Sequence, residues 1–355
     1  MTKVVLTGVA GFIGAHTLKH FLVETDWEVI GVDSLEHHGD YRRIESILKD
    51  STEEERKRFT FIKQDLAKID PKDFAKKIGR AEHIINMAAE SHVDRSIEEP
   101  VPFIKNNVDL CVNMLEVARI TKPESFIQIS TDEVYGPMYN DNAYKEWDAE
   151  VPSNPYSASK AAQEMIAISY WRTYGVPLVI TNTMNNIGEM QDIEKFLPLL
   201  IDAVETGKPA KIHAIGEEIG SRFYLHARNH ADALKYIIEK LPPHAYDPDK
   251  GDVKPDRYHV VGDTRLNNLE LAQMVADVLK KPLKYKFVDS HTARPGHDMH
   301  YGLNGDKLRN LGWNPPVAFD KALKTTVKHY LSNPEWLEWE LGVDEETKPK
   351  AKAKK

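Results

Sequence analysis

Val4-Val5-Leu6-Thr7-Gly8-Val9-Ala10-Gly11-Phe12-Ile13-Gly14 decides the architecture of this 355-residue chain. The short apolar run Val4 to Thr7 reads as a buried strand. Glycines follow at 8, 11 and 14, and then a helical pattern through Leu18, Phe21 and Leu22. A strand, a glycine-rich turn and a helix form a cradle for a diphosphate. Glycine lets the backbone approach the phosphate oxygens, and the helix N-terminus meets their charge. A second apolar strand, Glu28 to Val32, ends in Asp33, nineteen residues after Gly14. A carboxylate there accepts hydrogen bonds from an adenosine ribose and repels a 2′-phosphate, so the expected cofactor is NAD rather than NADP. A turn made only for tight packing would explain the glycines but not the acid.

Outward from this unit, Phe59-Thr60-Phe61-Ile62 leads to Asp65, and His83 to Ala89 is another strand entering a turn. Phe126 to Ser130 and Leu178 to Thr181 follow, with helical patterns between them. This alternation predicts an α/β fold, a Rossmann-type doubly wound parallel sheet. Ligands of such sheets sit beyond the carboxyl ends of the strands, where Asp33, Asp65, Ala88 and Thr131 fall. Past residue 188, prolines and mixed elements predict a smaller mixed α/β lobe whose closure over the sheet makes a substrate cleft. The expected division is 1–187 mainly NAD-binding, 188–340 mainly substrate-binding, and parts of 215–265 returning to the first unit. The polar tail 345–355 is expected to be disordered.

With 41% hydrophobic residues the chain can bury a full core. A net charge of -8 gives no reason to expect nucleic acid or an anionic membrane as partner. The single Cys111 excludes an internal disulfide, and its apolar helical surroundings predict burial. No signal peptide or long apolar span appears, so the expectation is a cytoplasmic protein off the membrane. The charge run Ser51 to Arg58 reads as a solvated helix. His226 and His230 have the i, i+4 spacing of a helical metal pair, but Ala227-Arg228-Asn229 between them supplies no acid. A structural helix start is expected there, and no metal.

The chemistry concentrates in Ser130-Thr131-Asp132-Glu133-Val134-Tyr135-Gly136 and Tyr156-Ser157-Ala158-Ser159-Lys160. Tyr156 and Lys160 share one helix face. A nearby ammonium favours phenolate, which makes the tyrosine a candidate base. Asp132 and Glu133 add a second acid and a second base. Taken singly, the carboxylates also fit an exposed loop or a helix N-terminus, and the tyrosine and lysine an amphipathic helix face. At the end of a central strand in a nicotinamide-binding chain, the four together suit more than one proton transfer.

These residues resemble the extended short-chain dehydrogenase/reductases, and within them the nucleotide-sugar 4,6-dehydratases of the dTDP-glucose type. The likeness rests on residues 8–14, 88–97, 130–136, 155–161 and 294–315. It implies a cofactor site of Gly8, Gly11, Phe12, Ile13, Gly14, Asp33, Asp65, Leu66, Ala88, Ala89, Asn107, Ser130, Tyr156 and Lys160. It also implies a site for a nucleoside-diphosphate hexose formed by Ser91, His92, Asn185, Lys195, Arg222, Arg294 and His297. Tyr156, supported by Lys160 and Thr131, would oxidise the sugar 4-hydroxyl. Glu133 would take the proton at position 5, and Asp132 would protonate the departing 6-hydroxyl. The hydride would then return to position 6. Dehydration is what requires both carboxylates.

The likeness has gaps around the nucleotide. Arg222-Phe223-Tyr224 stands where the family has Arg-Asp-Trp, His213-Ala214 where it has Tyr-Gly, and Ile187-Gly188-Glu189 where it has Tyr-Gly-Pro. Thymidine and uridine therefore both remain open as the base. A 4-epimerase or decarboxylase on the same scaffold, and a non-catalytic nucleotide-sugar binding protein, are the competing readings. The family also implies a homodimer through a four-helix interface from about 100–120 and 157–174. Met114, Leu115, Ala118, Ile166, Ile168 and Trp171 would supply its apolar surface, unless they pack on the sheet.

Overall fold

Seven parallel strands form the central sheet in this computed structural model, which describes residues 1–139, 142–251, 253–289, 296 and 298–337. They are β1 (Lys3–Thr7), β2 (Glu28–Asp33), β3 (Phe59–Lys63), β4 (His83–Asn86), β5 (Ser125–Thr131), β6 (Leu178–Thr183) and Asp256–Val260. Across the sheet the order is Asp256–Val260, β6, β5, β4, β1, β2, β3. The order reverses between β1 and β4, where a crevice opens at the carboxyl ends of the strands. The sheet is doubly wound, as the alternation of elements predicts.

Both faces of the sheet are covered. Val5, Ile84, Phe126 and Leu178 pack with Leu115 and Trp171 on one face. Leu6, Ile85, Ile127 and Val179 pack with Phe21, Leu22 and Ile44 on the other. Successive strand residues point to opposite faces, so two layers of helices require strands apolar on both sides. All seven residues of β5 are buried, including the polar Gln128, Ser130 and Thr131.

Two three-stranded sheets make the smaller lobe. One joins Asn185–Ile187, Ser221–His226 and Thr264–Asn267, and the other joins Ala210–Ile215, Glu218–Ile219 and Tyr285–Asp289. The chain passes from β6 into the lobe within two residues, and again from Val260 to Thr264. Both crossings lie at the carboxyl ends of the central strands, so the lobe sits over the crevice.

Met114, Leu115, Ala118 and Trp171 are buried against the sheet, so the packing alternative holds for them. The charge run contains the exposed helix Glu53–Lys57, started by a reciprocal cap between Thr52 and Glu55. No helix among the described residues is long and apolar enough to cross a membrane. The tail 345–355, expected to be disordered, lies outside the described residues.

Candidate active site

The crevice holds a cleft of about 360 Å³. Its wall includes Gly8, Gly11, Phe12, Ile13, Gly14, Asp33, Asp65, Leu66, Ala88, Ala89, Ser130, Tyr156 and Lys160. Gly14 has no substitute, because a Cβ there would lie 2.0 Å from the Gly8 carbonyl oxygen. The same close turn leaves the floor bare for a diphosphate, so the residues fit a dinucleotide. Asp33 accepts from the amides of Ala10 and Leu35, each at 2.9 Å. Burial pushes its carboxyl above the usual range, against those bonds. The Ser130 hydroxyl is buried with no hydrogen-bond partner among the described residues. Asn107 does not reach the cleft. It lies behind the wall, bonded to both backbone groups of Glu90 and to the Ser159 hydroxyl.

At the end of β5 the chain turns sharply, because Thr131 caps the short 3-10 turn Asp132–Tyr135 by accepting from the Glu133 amide. The Thr131 hydroxyl donates to Asp132 Oδ1 at 2.9 Å, and Thr131 and Tyr156 line the same cleft. Asp132 is 5% exposed, and its Oδ2 has no partner among the described residues. Burial, and then the charge of Glu133, push its carboxyl up to about 7. Burial also raises Glu133, while an amide bond from Asn154 to Oε2 at 3.3 Å opposes the shift. An acid that is protonated near neutrality thus stands beside a carboxylate held by a donor, an arrangement suited to a proton-donating and proton-accepting pair.

The helix Pro155–Tyr174 presents Tyr156 and Lys160 to the same cleft. It starts where it does because Asn154 caps it reciprocally with Ser157, and Pro155 takes the first position, where no donor is needed. Lys160 does not bond the tyrosine. Its ammonium donates to the Ile129 carbonyl and to Gln163 Oε1, both at 2.7 Å. Burial, with Glu133 and then Asp132 nearby, lifts the Tyr156 phenol well above its ordinary value. Shared helix spacing therefore brings the two residues to one cleft without giving the expected phenolate-favouring contact.

A second pocket of about 190 Å³ adjoins the first. Ser91, His92, Asn185, Lys195 and Arg222 all line it, together with Glu133 and His213. Arg294 and His297 lie outside the described residues. The Arg222 guanidinium sits 5.2 Å from the Tyr301 ring and donates to the Asp298 carbonyl at 3.4 Å. His92 Nδ1 accepts the Arg95 amide, so its Nε2 carries the proton and faces Glu194 at 3.2 Å. Glu194, Asp298, Tyr301 and Asn154 are not among the expected site residues. Asp298 and Tyr301 fall within the stretch 294–315 that carries the family likeness, and Asn154 shows as an Asn-Pro step at a helix start, while Glu194 has no such signal.

His226 is the predicted helix start, its Nδ1 accepting the Arg228 amide at 3.1 Å. His230 points into the core, where burial lowers its imidazole to about 4. His226 instead meets His16 and Glu189, three metal-ligating types within 4.8 Å of one another. The tautomers oppose a cation. His226 Nε2 must carry a proton toward Glu189 Oε2 at 3.1 Å, and His16 Nε2 donates to the Glu189 carbonyl at 2.9 Å. A ligating nitrogen has to give up that proton and let its ring partner donate. The group is a hydrogen-bonded clamp on Glu189, whose carboxyl is held down at about 2 despite burial, chiefly by the bond from His226.

The model of the GDP-mannose 4,6 dehydratase family matches residues 5–326. A dTDP-glucose 4,6-dehydratase of Haemophilus influenzae is 33% identical over 353 residues, covering 94% of this chain and 99% of that protein. The crystal structure of a dTDP-glucose 4,6-dehydratase from Streptomyces venezuelae with NAD bound superposes with a TM-score of 0.82 at 31% identity. It covers 95% of this chain and 99% of that one. A UDP-glucose 4-epimerase of Thermus thermophilus, in complex with NAD, reaches a TM-score of 0.79 at 25% identity, over 94% of this chain and all of that one.

Proposed function

The chain belongs to the GDP-mannose 4,6 dehydratase family, within the extended short-chain dehydrogenase/reductases, and from that premise we propose its reaction. It is an NAD-dependent lyase that converts a dTDP-glucose-like nucleoside-diphosphate hexose to the 4-keto-6-deoxy sugar. One observation carries the reading. Two adjacent carboxylates, both raised by burial, line one cleft with Thr131 and Tyr156. An epimerase has the tyrosine and the cofactor but no step that consumes a buried acid and a base together, so dehydration is favoured over epimerisation on the shared scaffold.

NAD held over Gly8, Gly11 and Gly14 would supply the acceptor for the hydride of the sugar's carbon 4 and its donor to carbon 6. Thr131 and Tyr156 would hold the 4-hydroxyl between them, and Tyr156 would take its proton as the phenolate, the form that burial disfavours and that the ammonium of Lys160 in the same cleft favours. The 4-ketone acidifies the proton on carbon 5. Glu133, the carboxylate supported by Asn154, removes it and gives a proton back to carbon 5 when the hydride reaches carbon 6. Asp132, protonated near neutrality, delivers its proton to the 6-hydroxyl, which departs as water. Arg222 and Lys195 line the adjoining pocket and supply positive charge for the diphosphate, with Asn185 as an amide donor. The catalytic roles of Thr131, Asp132, Glu133, Tyr156 and Lys160 are part of the proposal.

The proposal includes a homodimer built on Pro100–Thr121 and Pro155–Tyr174. Val101 at 74% exposure and Met165 at 50% put apolar side chains on the outer surface of this helix pair. A cytoplasmic setting accords with a single cysteine that is buried and free. The division into an NAD-binding and a substrate-binding unit is supported by the two small sheets over the crevice.

The test is incubation with dTDP-glucose and UDP-glucose separately, with the 4-keto-6-deoxy product identified by mass and by its ketone. Product from one of them confirms the reaction and names the base. No product from either hexose sinks the reading.

A further inference from the structure

A row of buried amides runs beneath the cofactor cleft, and it ends on Lys160. The Thr7 hydroxyl donates to Asn86 Oδ1 at 3.1 Å, and Asn86 Nδ2 donates to Gln128 Oε1 at 2.9 Å. Gln128 Nε2 in turn donates to Gln163 Oε1 at 3.1 Å, the oxygen that also receives Lys160 Nζ. All five side chains are buried. Thr7, Asn86 and Gln128 lie on the neighbouring strands β1, β4 and β5, so the row crosses the sheet one strand at a time. Gln163 closes it from the helix, its own Nε2 fixed on the Asn107 carbonyl at 2.6 Å.

The direction of every bond is determined. Lysine only donates, so Gln163 must present its oxygen, and Gln128 must then present its nitrogen. Each amide meets the next through its N–H, so the row locks the Gln163 amide with Oε1 toward the ammonium, and the donation from Gln163 Nε2 to the Asn107 carbonyl is what polarises that oxygen. Among the described residues no carboxylate bonds Lys160. Of its three protons, one goes to Ile129 and one to Gln163. Lys160 lines the cleft, and its third proton is left for the cofactor side.

We infer that Gln163 is a positioning residue for Lys160: the amide row orients its Oε1, and that oxygen keeps the lysine charged and aimed into the cleft at the pH of the hydride step. The inference rests on the dehydratase reading for its role in turnover, but the protonation of Lys160 is measurable without turnover. The surroundings leave Gln163 as the main lever. Burial lowers the ammonium to about 8, and the charges acting on it are few. Cys111, on the helix Pro100–Thr121, is kept neutral by burial that pushes its thiol to about 12. Glu164, next to Gln163, is engaged by Arg257. Tyr156, one turn earlier, is neutral, and Asp132 and Glu133 at the end of β5 act on Tyr156.

Gln163→Met keeps the length of the side chain and removes the acceptor, while Gln163→Glu replaces the amide dipole with a full charge. Both are examined in the NAD-loaded protein by two readouts. The first is the titration of Lys160 by NMR in protein carrying carbon-13-labelled lysine, with the resonance identified by its loss in Lys160→Arg. The second is the alkaline limb of the pH profile for dehydration. Gln163→Met should lower both by about one pH unit, and Gln163→Glu should raise both. Lys160 titrations that superimpose in wild type and Gln163→Met overturn the inference. If Gln163→Met does not fold, Gln163→Glu decides, and a titration unmoved or lowered in it overturns the inference equally. Failure of the wild type to dehydrate a nucleotide hexose would show instead in the second readout alone.

Discussion

Arg43 donates to Asp192 at 2.7 Å across 149 residues of chain, and the same guanidinium holds the carbonyls of Ala10, His38 and Met190. It ties the glycine turn and the loop after β2 to the segment that follows Asn185–Ile187 in the smaller lobe. Arg43 is fully buried, and Asp192, which burial alone would raise, is held below the usual carboxylate range by His38 and Arg43. Removing one partner from a buried pair leaves the other charge unpaired and costs about 3–5 kcal/mol. Arg43→Met should therefore lower the melting temperature by roughly 5 °C in a chain of this size and weaken NAD retention. Calorimetry, with bound NAD assayed after gel filtration, checks both. A folded variant with wild-type melting would contradict the account.

Asp132→Asn and Glu133→Gln separate the two halves of the reaction. Thr131, Tyr156 and Lys160 remain in each, so oxidation of the 4-hydroxyl should persist and be visible as NADH absorbance. Elimination loses its acid in one variant and its base in the other, at a cost of about 10²–10⁴ in rate. Stopped-flow absorbance should show reduced cofactor accumulating instead of decaying. Dehydration at the wild-type rate in both variants would transfer the reaction to other residues.

The Asp132 carboxyl also predicts a pH effect on stability. Its folded value is about 7 against an ordinary 3.8, so the folded state holds this proton more tightly than the unfolded chain. The stability that comes from the protonated acid is full below the unfolded value and is lost as pH rises through about 7. Asp132→Asn cannot ionise. Relative to wild type it should gain stability between pH 5 and pH 8, by up to a few kcal/mol, roughly. Denaturant melts of the two proteins at both pH values measure the difference, and a constant difference would rule out the raised carboxyl.

Local pattern makes much of this molecule legible in the sequence. β1, the glycine turn and Asp33 obey strand period, backbone sterics and a strand-end acid, all of which are written in neighbouring residues. The two motifs of the proposed site can be read as chemistry because Thr131 to Glu133 and Tyr156 to Lys160 are each contiguous. What is not legible depends on distant contacts. The amide row through Asn86, Gln128 and Gln163 comes from strand order, and strand order brings together residues dozens of positions apart. The direction taken by Lys160 is hidden for the same reason, since helix spacing specifies a shared face but not a bonding partner. Glu189 shows in the sequence as a departure from the family pattern, but its two imidazole partners come from far along the chain, His16 on the helix Phe12–Glu24 and His226 at the end of the strand Ser221–His226.

Asn154 offers a test that divides fold from chemistry within one side chain. Its Oδ1 accepts the Ser157 amide and starts the helix that carries Tyr156 and Lys160, while its Nδ2 donates to Glu133 Oε2 and to the Gly296 carbonyl. Asn154→Ala removes both and should cost about 1 kcal/mol through the lost cap alone. Asn154→Asp keeps a good cap and turns the donor into an acceptor facing Glu133. The cap predicts a melting temperature closer to wild type than that of the alanine variant. The lost donor and the new charge both push Glu133 further up, because a like charge and a missing hydrogen bond each disfavour the carboxylate. A base that must be ionised then works only at higher pH, so the acid limb of the dehydration profile should move upward by about one unit. A profile unmoved in Asn154→Asp would show that Glu133 is not the base whose ionisation limits the rate.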